Sequence, residues 1–343
     1  MTDGQLDAGV ARPVIAVIGD GGWGTALALV AHRNGARTRL WGIDDAYVEE
    51  MRARRENPRY LPGVRLPEDV QLTADAAAAA EGAQLVVSAV PTQFLRATMT
   101  GVRGALPDGV PVLSCSKGIE RGTLRRPTEI LGEILVARPL AVLSGPNHAE
   151  EVAIGRPATA VVACRDDEVT RGVQRLLSDP GFRLYGSSDV VGVELAAAVK
   201  NVIAIAAGMV DGLELGDNAK AALITRGAVE ISRLGVALGA REETFAGLAG
   251  IGDLIATCVS SHGRNRGVGE RLGRGETLRE ILDSMLQVAE GVETTRGVVE
   301  LAERHEVEMP ICAVVHRILF EDLAPRDALR ELMTRELKSE RAE

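Results

Sequence analysis

The chain has 343 residues, a formal net charge of −9, a hydrophobic content of 46% and a charged content of 25%. These values are ordinary for a soluble protein, and the length is sufficient for two domains. The acidic balance argues against nucleic acid as the main partner, because phosphate backbones bind to basic surfaces.

Cysteines and histidines show neither a disulfide framework nor metal-ligand spacing. The four cysteines are far apart, and the five histidines are scattered. Residues 1–13 are polar and acidic and do not resemble a secretory signal. We therefore expect reduced thiols, a cytoplasmic location and no metal. The apolar segment 195–210 is interrupted by Lys200, and we expect it to be too short to span a membrane.

Short apolar runs alternate with helical periodicity in the first half of the chain. Strands are predicted at 14–18, 38–42, 85–90, 110–114, 140–143 and 158–163, and a helix is predicted at 25–34. Strands that alternate with helices are typical of an α/β domain with a mostly parallel, doubly wound sheet.

Strand signals stop near residue 190, and the rest of the chain predicts an all-α domain. We expect its helices to be broken at 212–216, 250–252, 263–275 and 309–310. The predicted domains are therefore 1–190 and 191–343. The charged tail, 326–343, is predicted to be an exposed helix with a frayed end.

Three glycines, Gly19, Gly21 and Gly24, form a G-x-G-x-x-G pattern between the first strand and the following helix. The first glycine permits a tight turn, the second lets the backbone approach a pyrophosphate, and the third lets the helix pack on the strand. The helix N-terminus faces the phosphates in such a loop. The pattern predicts a dinucleotide-binding (Rossmann) domain, and a glycine-rich turn without a ligand is the alternative.

Two carboxylates, Asp44 and Asp45, follow Ile43 at the end of the second strand. An acidic residue about 20 positions beyond the glycines is typical of a site for the NAD ribose, whereas an arginine there favours NADP. The alternative is that both carboxylates only cap the next helix. We predict that NADH is used at least as well as NADPH.

Lys200 lies in the most apolar stretch of the chain, although only four of the 39 cationic residues are lysines. Burial disfavours an ammonium and lowers its pKa, which is how a lysine becomes a general acid or base. A lysine that extends its amine to solvent is the alternative. Four alanines share its predicted helix face: Ala196, Ala197, Ala204 and Ala207. This stripe either leaves room for a ligand or packs against another helix.

Polar residues also follow two predicted strands. Lys117 follows one of them, and Gly145 and Asn147 follow the next. Because the carboxyl ends of parallel strands bind ligands, both loops are expected at one crevice, and ordinary turns are the alternative.

Two loops of the helical half carry further candidates. Asp253 is suited to orient a lysine amine, and Arg264 beside Asn265 suits a small phosphate. The alternative for the arginine is a solvated basic loop.

Together these motifs resemble one family, the bacterial NAD(P)-dependent glycerol-3-phosphate dehydrogenases. The matching stretches are 19–28, 57–63, 90–93, 116–120, 144–149, 200–201, 216–223, 247–253 and 263–265. The resemblance implies a Rossmann domain, an all-α domain and an active site between them. It also implies reduction of dihydroxyacetone phosphate to sn-glycerol 3-phosphate, a precursor of phospholipid head groups, and we expect a homodimer.

The resemblance further implies roles for individual residues, with Lys200 as proton donor and acceptor. The catalytic set is Lys200, Lys117, Asn201, Asp253 and Thr257. The substrate-binding set is Lys117, Gly145, Asn147, Lys200, Asp253, Gly263, Arg264 and Asn265. With the glycine loop, the cofactor-binding set is Gly19, Gly21, Gly22, Trp23, Gly24, Ile43, Asp44, Lys117, Ala149, Arg264, Val288 and Glu290.

Four positions depart from the family pattern. Asp20 replaces a small residue and brings a carboxylate near the pyrophosphate, and Gly22 and Gly263 stand where the family often has serine. Ile43 replaces a His or Arg, which weakens the case for NADP. Two other functions stay open: a related dehydrogenase acting on a hydroxy acid or a pantoate-like substrate, and a module that senses NAD(H) without catalysis.

Overall fold

The computed structural model describes residues 12–337, 339 and 340. The predictions for the start of the chain and for the last residues of the tail therefore lie partly outside the described residues. The strands are β1 (Val14–Ile18), β2 (Arg37–Trp41), β3 (Glu56–Asn57), β4 (Leu61–Arg65), β5 (Gln71–Thr73), β6 (Leu85–Ser88), β7 (Val112–Ser114), β8 (Leu140–Ser144), β9 (Ala158–Ala163) and β10 (Phe182–Ser187).

Helices cover both faces of the sheet region and make up the second half of the chain. They are α1 (Gly22–Arg33), α2 (Asp45–Arg54), α3 (Ala76–Ala80), α4 (Thr92–Val102), α5 (Pro127–Ile134), α6 (Ala149–Ala153), α7 (Asp167–Leu177), α8 (Val190–Gly212), α9 (Gly216–Ala237), α10 (Glu242–Phe245), α11 (Asp253–Val259), α12 (Arg264–Gly273), α13 (Leu278–Asp283), α14 (Glu290–Arg304), α15 (Pro310–Phe320) and α16 (Pro325–Met333).

Eight strands form one sheet in the order β10-β9-β8-β7-β6-β1-β2-β5. All neighbours are parallel except β8 and β9, which pair antiparallel. The predicted mostly parallel sheet with helices is confirmed. The chain passes from β1 outward to β2 and then returns to β6 on the other side of β1. The carboxyl ends of β1 and β6 therefore flank a topological switch point, where open α/β sheets bind ligands.

The sequence analysis did not identify strands β3, β4, β5 and β10. β5 has three residues and β3 has two, too few to show a periodic pattern. β10 lies at the edge of the sheet. Its first four residues alternate between buried and exposed, and Gly186 follows them. Short strands with one neighbour carry a weak signal because little of their surface is buried.

Helix α8 lies at the centre of the helical domain. It is longer than the apolar segment 195–210, which was expected to be too short to span a membrane. It has 23 residues, so the apolar segment is long enough to cross a bilayer by length and composition, with a mean hydropathy of 1.9. However, 89% of that apolar window is buried inside the protein. Helices α9, α11, α12, α14 and α15 pack around it.

Glycines bring α8 and α12 unusually close together. A Cβ on Gly208 would lie 1.9 Å from the carbonyl oxygen of Arg266, and one on Gly269 would lie 1.9 Å from that of Ile205. The predicted break at 263–275 was wrong, because α12 occupies most of it. Gly269 and Gly273 of α12 serve close helix packing rather than a loop.

A buried carboxylate joins the helical domain to the Rossmann domain. Glu194, on the first turns of α8, accepts hydrogen bonds from the backbone N–H and the hydroxyl of Thr128, both at 2.7 Å. The Arg126 guanidinium pairs with the same carboxylate at 2.5 Å. The helix that carries Lys200 is therefore fixed to the start of α5 in the Rossmann domain.

Candidate active site

A cleft of about 560 Å³ lies between the carboxyl edge of the sheet and the helices α8, α11 and α12. We call it the interdomain cleft. The glycine loop after β1 forms one side, the loops after β6, β7 and β8 form the next, and Lys200 lies on the wall formed by α8. Residues of the loops after the strands and residues of the helical domain thus line the same cleft. The sequence pointed to these loops and to Lys200 separately.

The Lys200 amine is buried and donates two hydrogen bonds to described residues. Its Nζ donates to Oδ1 of Asp253 at 2.6 Å and to the hydroxyl oxygen of Thr257 at 2.6 Å. The Thr257 hydroxyl donates in turn to the backbone carbonyl of Asp253 at 2.7 Å. The alternative that Lys200 extends its amine to solvent is excluded, because the lysine side chain is only 6% exposed.

Asp253 also binds a second lysine. Lys117 Nζ donates to Oδ2 of Asp253 at 3.0 Å and to Oδ1 of Asn147 at 3.1 Å. The carbonyl of Gly145 accepts a longer bond from the same amine at 3.4 Å. The Ser144 hydroxyl donates to Oδ2 of Asp253 at 3.1 Å. One carboxylate therefore stabilises both lysines at the end of the cleft.

The pKa values of this group follow from burial and mutual charge. Burial lowers the pKa of Lys200 to about 8, the charge of Asp253 opposes that shift, and Lys117 adds to it. Burial alone raises the pKa of the Asp253 carboxyl, but the charges of Lys117 and Lys200 outweigh it and hold that pKa below its ordinary value. Lys200 can therefore exchange a proton near neutral pH, which a general acid and base requires.

Amide side chains fix the backbone around the lysines. Asn201 Nδ2 donates to the carbonyl of Lys117 at 2.9 Å, which ties α8 to the loop after β7. Asn265 Oδ1 accepts from the backbone N–H of Gly291 at 3.0 Å, which ties α12 to α14. Asn147 Nδ2 is buried and, within the described part of the chain, has no hydrogen-bond partner. That donor is available to a ligand in the cleft.

Arg264 and Gly263 lie at the mouth of the cleft on the first turn of α12. The Arg264 guanidinium donates to the carbonyl of Val288 at 3.1 Å, and both residues line the cleft. Among the described residues, Val288 is the hydrogen-bond partner of this guanidinium, and its other N–H groups make no hydrogen bond or ion pair. A cation at this position suits an anionic ligand.

The glycine loop fits a dinucleotide. Gly19 has φ +111, and a Cβ there would lie 2.9 Å from the carbonyl oxygen of Ala89. A Cβ on Gly24 would lie 1.9 Å from the carbonyl oxygen of Gly19, so only glycine lets α1 start this close to β1. A Cβ on Gly21 would meet no protein atom within 4 Å. Packing explains two of the glycines, and the third leaves space for a ligand, as a pyrophosphate requires.

Most of the other predicted cofactor residues also line the interdomain cleft. These are Gly22, Trp23, Ile43, Ala149, Val288 and Glu290. Glu290 accepts a hydrogen bond from the backbone N–H of Thr92 at 2.7 Å, so its buried carboxyl also holds the start of α4. Burial raises the pKa of Glu290 and the Thr92 bond opposes that rise.

Three predicted site residues do not line the cleft: Gly24, Asp44 and Gly145. Gly24 is buried beneath the glycine loop, and Gly145 contributes only its carbonyl to Lys117. Asp44 accepts from the backbone N–H of Tyr47 at 3.2 Å and caps α2. The capping alternative therefore describes its side chain in this structure.

The cleft also contains residues that the sequence analysis did not select: Tyr60, Phe94, Thr98, His148, His262, Leu286 and Gln287. Tyr60 and His148 belong to stretches that carried the family resemblance, and that was the available signal. Phe94 and Thr98 lie on α4, Leu286 and Gln287 lie in the loop before α14, and no motif distinguishes these four. His262 lies in the loop between α11 and α12, directly before Gly263 and Arg264. Ser144 was part of a quoted motif, but its bond to Asp253 is visible only in three dimensions.

Comparisons with known proteins agree with this geometry. The protein-family model described as "NAD-dependent glycerol-3-phosphate dehydrogenase N-terminus" matches residues 14–170, and the family model for the C-terminus matches residues 189–330. A glycerol-3-phosphate dehydrogenase (NAD(P)+) of Rhodospirillum rubrum is 48% identical over 326 residues, which covers 95% of this chain and 93% of that relative. One of Thermobifida fusca is 49% identical over 330 residues and covers 95% of this chain and 98% of that relative.

Solved structures show the same similarity. The crystal structure of glycerol-3-phosphate dehydrogenase from Coxiella burnetii has a TM-score of 0.91 and 40% sequence identity, and the match covers 94% of this chain and 99% of that one. The resemblance inferred from the motifs is thereby confirmed. The chain belongs to the NAD-dependent glycerol-3-phosphate dehydrogenase family.

Proposed function

We propose that this protein reduces dihydroxyacetone phosphate reversibly to sn-glycerol 3-phosphate with NADH or NADPH and so supplies phospholipid synthesis. The observation that carries the proposal is the buried Lys200 amine, held by Asp253 and Thr257 in the same cleft as the glycine loop. This arrangement supplies a proton beside a dinucleotide site, which is what carbonyl reduction requires.

The nicotinamide, when bound, supplies the hydride. The ammonium of Lys200 stabilises the negative charge that develops on the carbonyl oxygen and then gives its proton to that oxygen. Asp253 keeps Lys200 charged despite burial, and Thr257 orients the amine through a hydrogen bond. In the reverse direction the neutral amine accepts the proton from the alcohol. Preorganised charge of this kind lowers the barrier because nothing needs to reorient during the reaction.

Positioning of the substrate falls to the residues around the lysines. Arg264, Asn265 and the backbone of Gly263 lie where they can hold the phosphate, with Lys117 closer to the carbonyl. The free Nδ2 of Asn147 is a further donor toward the substrate. Holding the phosphate fixes the carbonyl against the amine, so that binding energy serves orientation.

The cofactor is held by the glycine loop and its neighbours. Gly19, Gly21 and Gly24 bring the backbone close to the pyrophosphate, and Ile43 and Val288 present apolar surface at the rim of the cleft. Gly42, Ile43 and Asp44 follow β2 directly and include no arginine, so we expect NADH to be used at least as well as NADPH.

We infer three further properties. We infer domains of residues 1–190 and 191–343, and the end of β10 at Ser187 and the start of α8 at Val190 support this division. The enzyme is proposed to be a homodimer and to be cytoplasmic. Size-exclusion chromatography with light scattering tests the homodimer, and a mass of one chain would contradict it.

The direct test is oxidation of NADH in the presence of dihydroxyacetone phosphate by the purified protein. Lys200→Ala is expected to lower kcat by at least about a hundredfold, as the loss of a general acid does, while NADH binding stays near that of the wild type. Lys220→Ala is the matched control. Lys220 is the other described lysine on a core helix, it pairs with Asp211 at 2.6 Å, and it does not line the cleft.

The same assay separates the alternatives. Turnover of ketopantoate or of a 2-keto acid instead of dihydroxyacetone phosphate would support the related dehydrogenase. Binding of NADH without turnover of any ketone would support the sensing module. Circular dichroism of both lysine variants shows whether a loss of activity is a loss of folding.

A further inference from the structure

Asp20 is the second residue of the glycine loop, and its side chain turns toward the end of β2. A Cβ on Gly42, the residue after β2, would lie 2.3 Å from Oδ2 of Asp20 and 2.7 Å from its Cγ. The carboxylate therefore occupies the space directly above Gly42. Asp20 also lines the interdomain cleft together with Trp41 and Ile43.

Few groups of the protein offset the burial of the Asp20 carboxylate. Burial raises the pKa of Asp20, its own backbone N–H opposes the rise, and the charge of Asp44 adds to it. No described cation lies within ion-pair distance of it. Arg59 is the nearest cation that acts on Asp20, but its guanidinium lies 3.7 Å from Asp44 and 4.0 Å from the centre of the Tyr47 ring. A partly buried acceptor with no partner side chain is suited to bind a ligand donor.

Asp44 does not have these properties. Its carboxylate caps α2 through the backbone N–H of Tyr47 and pairs with Arg59, and it does not line the cleft. The end of the second strand is where dinucleotide folds hold the adenosine ribose. Of the two carboxylates at that place, Asp20 alone both faces the cleft and lacks a partner.

We propose that Asp20, rather than Asp44, accepts the hydroxyl groups of the adenosine ribose and sets the preference for NADH over NADPH. This inference rests on the proposed dinucleotide site. A carboxylate accepts hydrogen bonds from vicinal hydroxyls, whereas a 2′-phosphate beside it is repelled by its charge. Gly42 makes the arrangement possible, because any side chain there would displace the carboxylate.

The test compares the charge-removing variants Asp20→Asn and Asp44→Asn with the wild type. For each protein, kcat/KM is measured with NADH and with NADPH at saturating dihydroxyacetone phosphate. We expect Asp20→Asn to lower the NADH:NADPH ratio of kcat/KM by about tenfold or more, the effect of one charge-assisted hydrogen bond plus relief of repulsion. Asp44→Asn, the matched control, is expected to change the ratio by less than about threefold.

A shift caused by Asp44→Asn and not by Asp20→Asn would overturn the proposal, as would a wild-type protein that prefers NADPH. Equilibrium binding of NADH and NADPH, followed by quenching of tryptophan fluorescence, repeats the comparison without any turnover. If no ketone is reduced but the Asp20 variant still changes the binding ratio, the proposed function fails and the role of Asp20 stands. Asp20→Ser is the second variant if the asparagine protein does not fold.

Discussion

Lys200 is charged inside the protein because one carboxylate and one hydroxyl take the place of water. Asp253 binds Lys200 through one oxygen and Lys117 through the other, and Ser144 adds a third donor to the same group. Two lysines that share one carboxylate carry a net positive charge. That charge is available to a phosphate and to a developing oxyanion in the interdomain cleft.

Variants of Arg264 test how the phosphate of the substrate is held. Arg264→Ala is expected to lower kcat/KM for dihydroxyacetone phosphate by about ten- to a hundredfold, because charge-assisted hydrogen bonds contribute roughly 1.5–3 kcal/mol each. Unphosphorylated dihydroxyacetone is expected to be affected far less. Arg264→Lys should recover only part of the loss, since lysine lacks the planar fork.

The control is Arg274→Ala at the other end of α12, where the side chain is 62% exposed. An equal, small effect of Arg264→Ala on the two substrates would contradict the phosphate contact. It would move the phosphate site toward Lys117 and Asn265.

Single residues were predictable from the sequence where their chemistry contrasted with their surroundings. Lys200 stood out as a lysine in an apolar run, and the glycine loop stood out by its spacing. Asp253 and Thr257 lie 53 and 57 positions away from Lys200, so no local pattern could join them to it. The carboxylate chemistry of Asp253 suggested that it could orient a lysine amine, the family resemblance added Thr257, and both roles stay predictions.

At the scale of elements, buried carboxylates cap helices that belong to other parts of the chain. Glu230 on α9 accepts from the backbone N–H groups of Ile311 at 2.7 Å and Cys312 at 3.2 Å. These are among the N–H groups at the start of α15 that no carbonyl of the helix can satisfy. Glu194 serves the start of α5 in the same way. Helix starts are thus positioned by side chains that sequence periodicity does not reveal.

Glu230→Ala is expected to lower the free energy of unfolding by roughly 1–3 kcal/mol, because two buried N–H groups lose their acceptor. Burial raises the pKa of Glu230 to about 7, and the two backbone bonds oppose that rise. The folded state therefore binds more protons than the unfolded state between about pH 4.5 and about pH 7. The contribution of Glu230 to stability is complete below that window and decreases as the pH rises through it.

Urea unfolding at about pH 5 and about pH 8 measures both effects, with the exposed Glu242→Ala as the control. The loss caused by Glu230→Ala should be larger at the lower pH. Equal losses at both values would show that the carboxyl titrates normally. An unchanged midpoint would show that α15 does not depend on this cap.

Elements with clear apolar runs were predicted from the sequence, whereas a helix whose glycines serve packing was missed. The strands from β1 to β9 with clear apolar runs were found, but helix α12 was taken for a loop because it contains Gly267, Gly269 and Gly273. Gly269 and Gly273 allow contact with α8, and a sequence alone does not show whether a glycine ends a helix or lets another helix approach.

At the scale of the whole molecule, the site exists because two domains meet. The sheet provides the cofactor loop and Lys117, while α8 and α11 provide Lys200 and Asp253. The contact from Glu194 to Arg126 and Thr128 keeps α8 in place relative to the sheet. The sequence predicted both domains and the order of the motifs. It could not predict that α8 would be buried along nearly its whole length, since the same composition also suits a membrane helix.

Lys200 is proposed to move the proton, and the pH dependence of kcat/KM in both directions follows its ionisation. Reduction requires the ammonium and oxidation requires the neutral amine, and burial places the pKa of Lys200 at about 8. We predict that kcat/KM for reduction of dihydroxyacetone phosphate decreases above about pH 8, and that kcat/KM for oxidation of glycerol 3-phosphate decreases below it. Profiles that fall on the same side in both directions, or that show no inflection near that pH, would contradict the account.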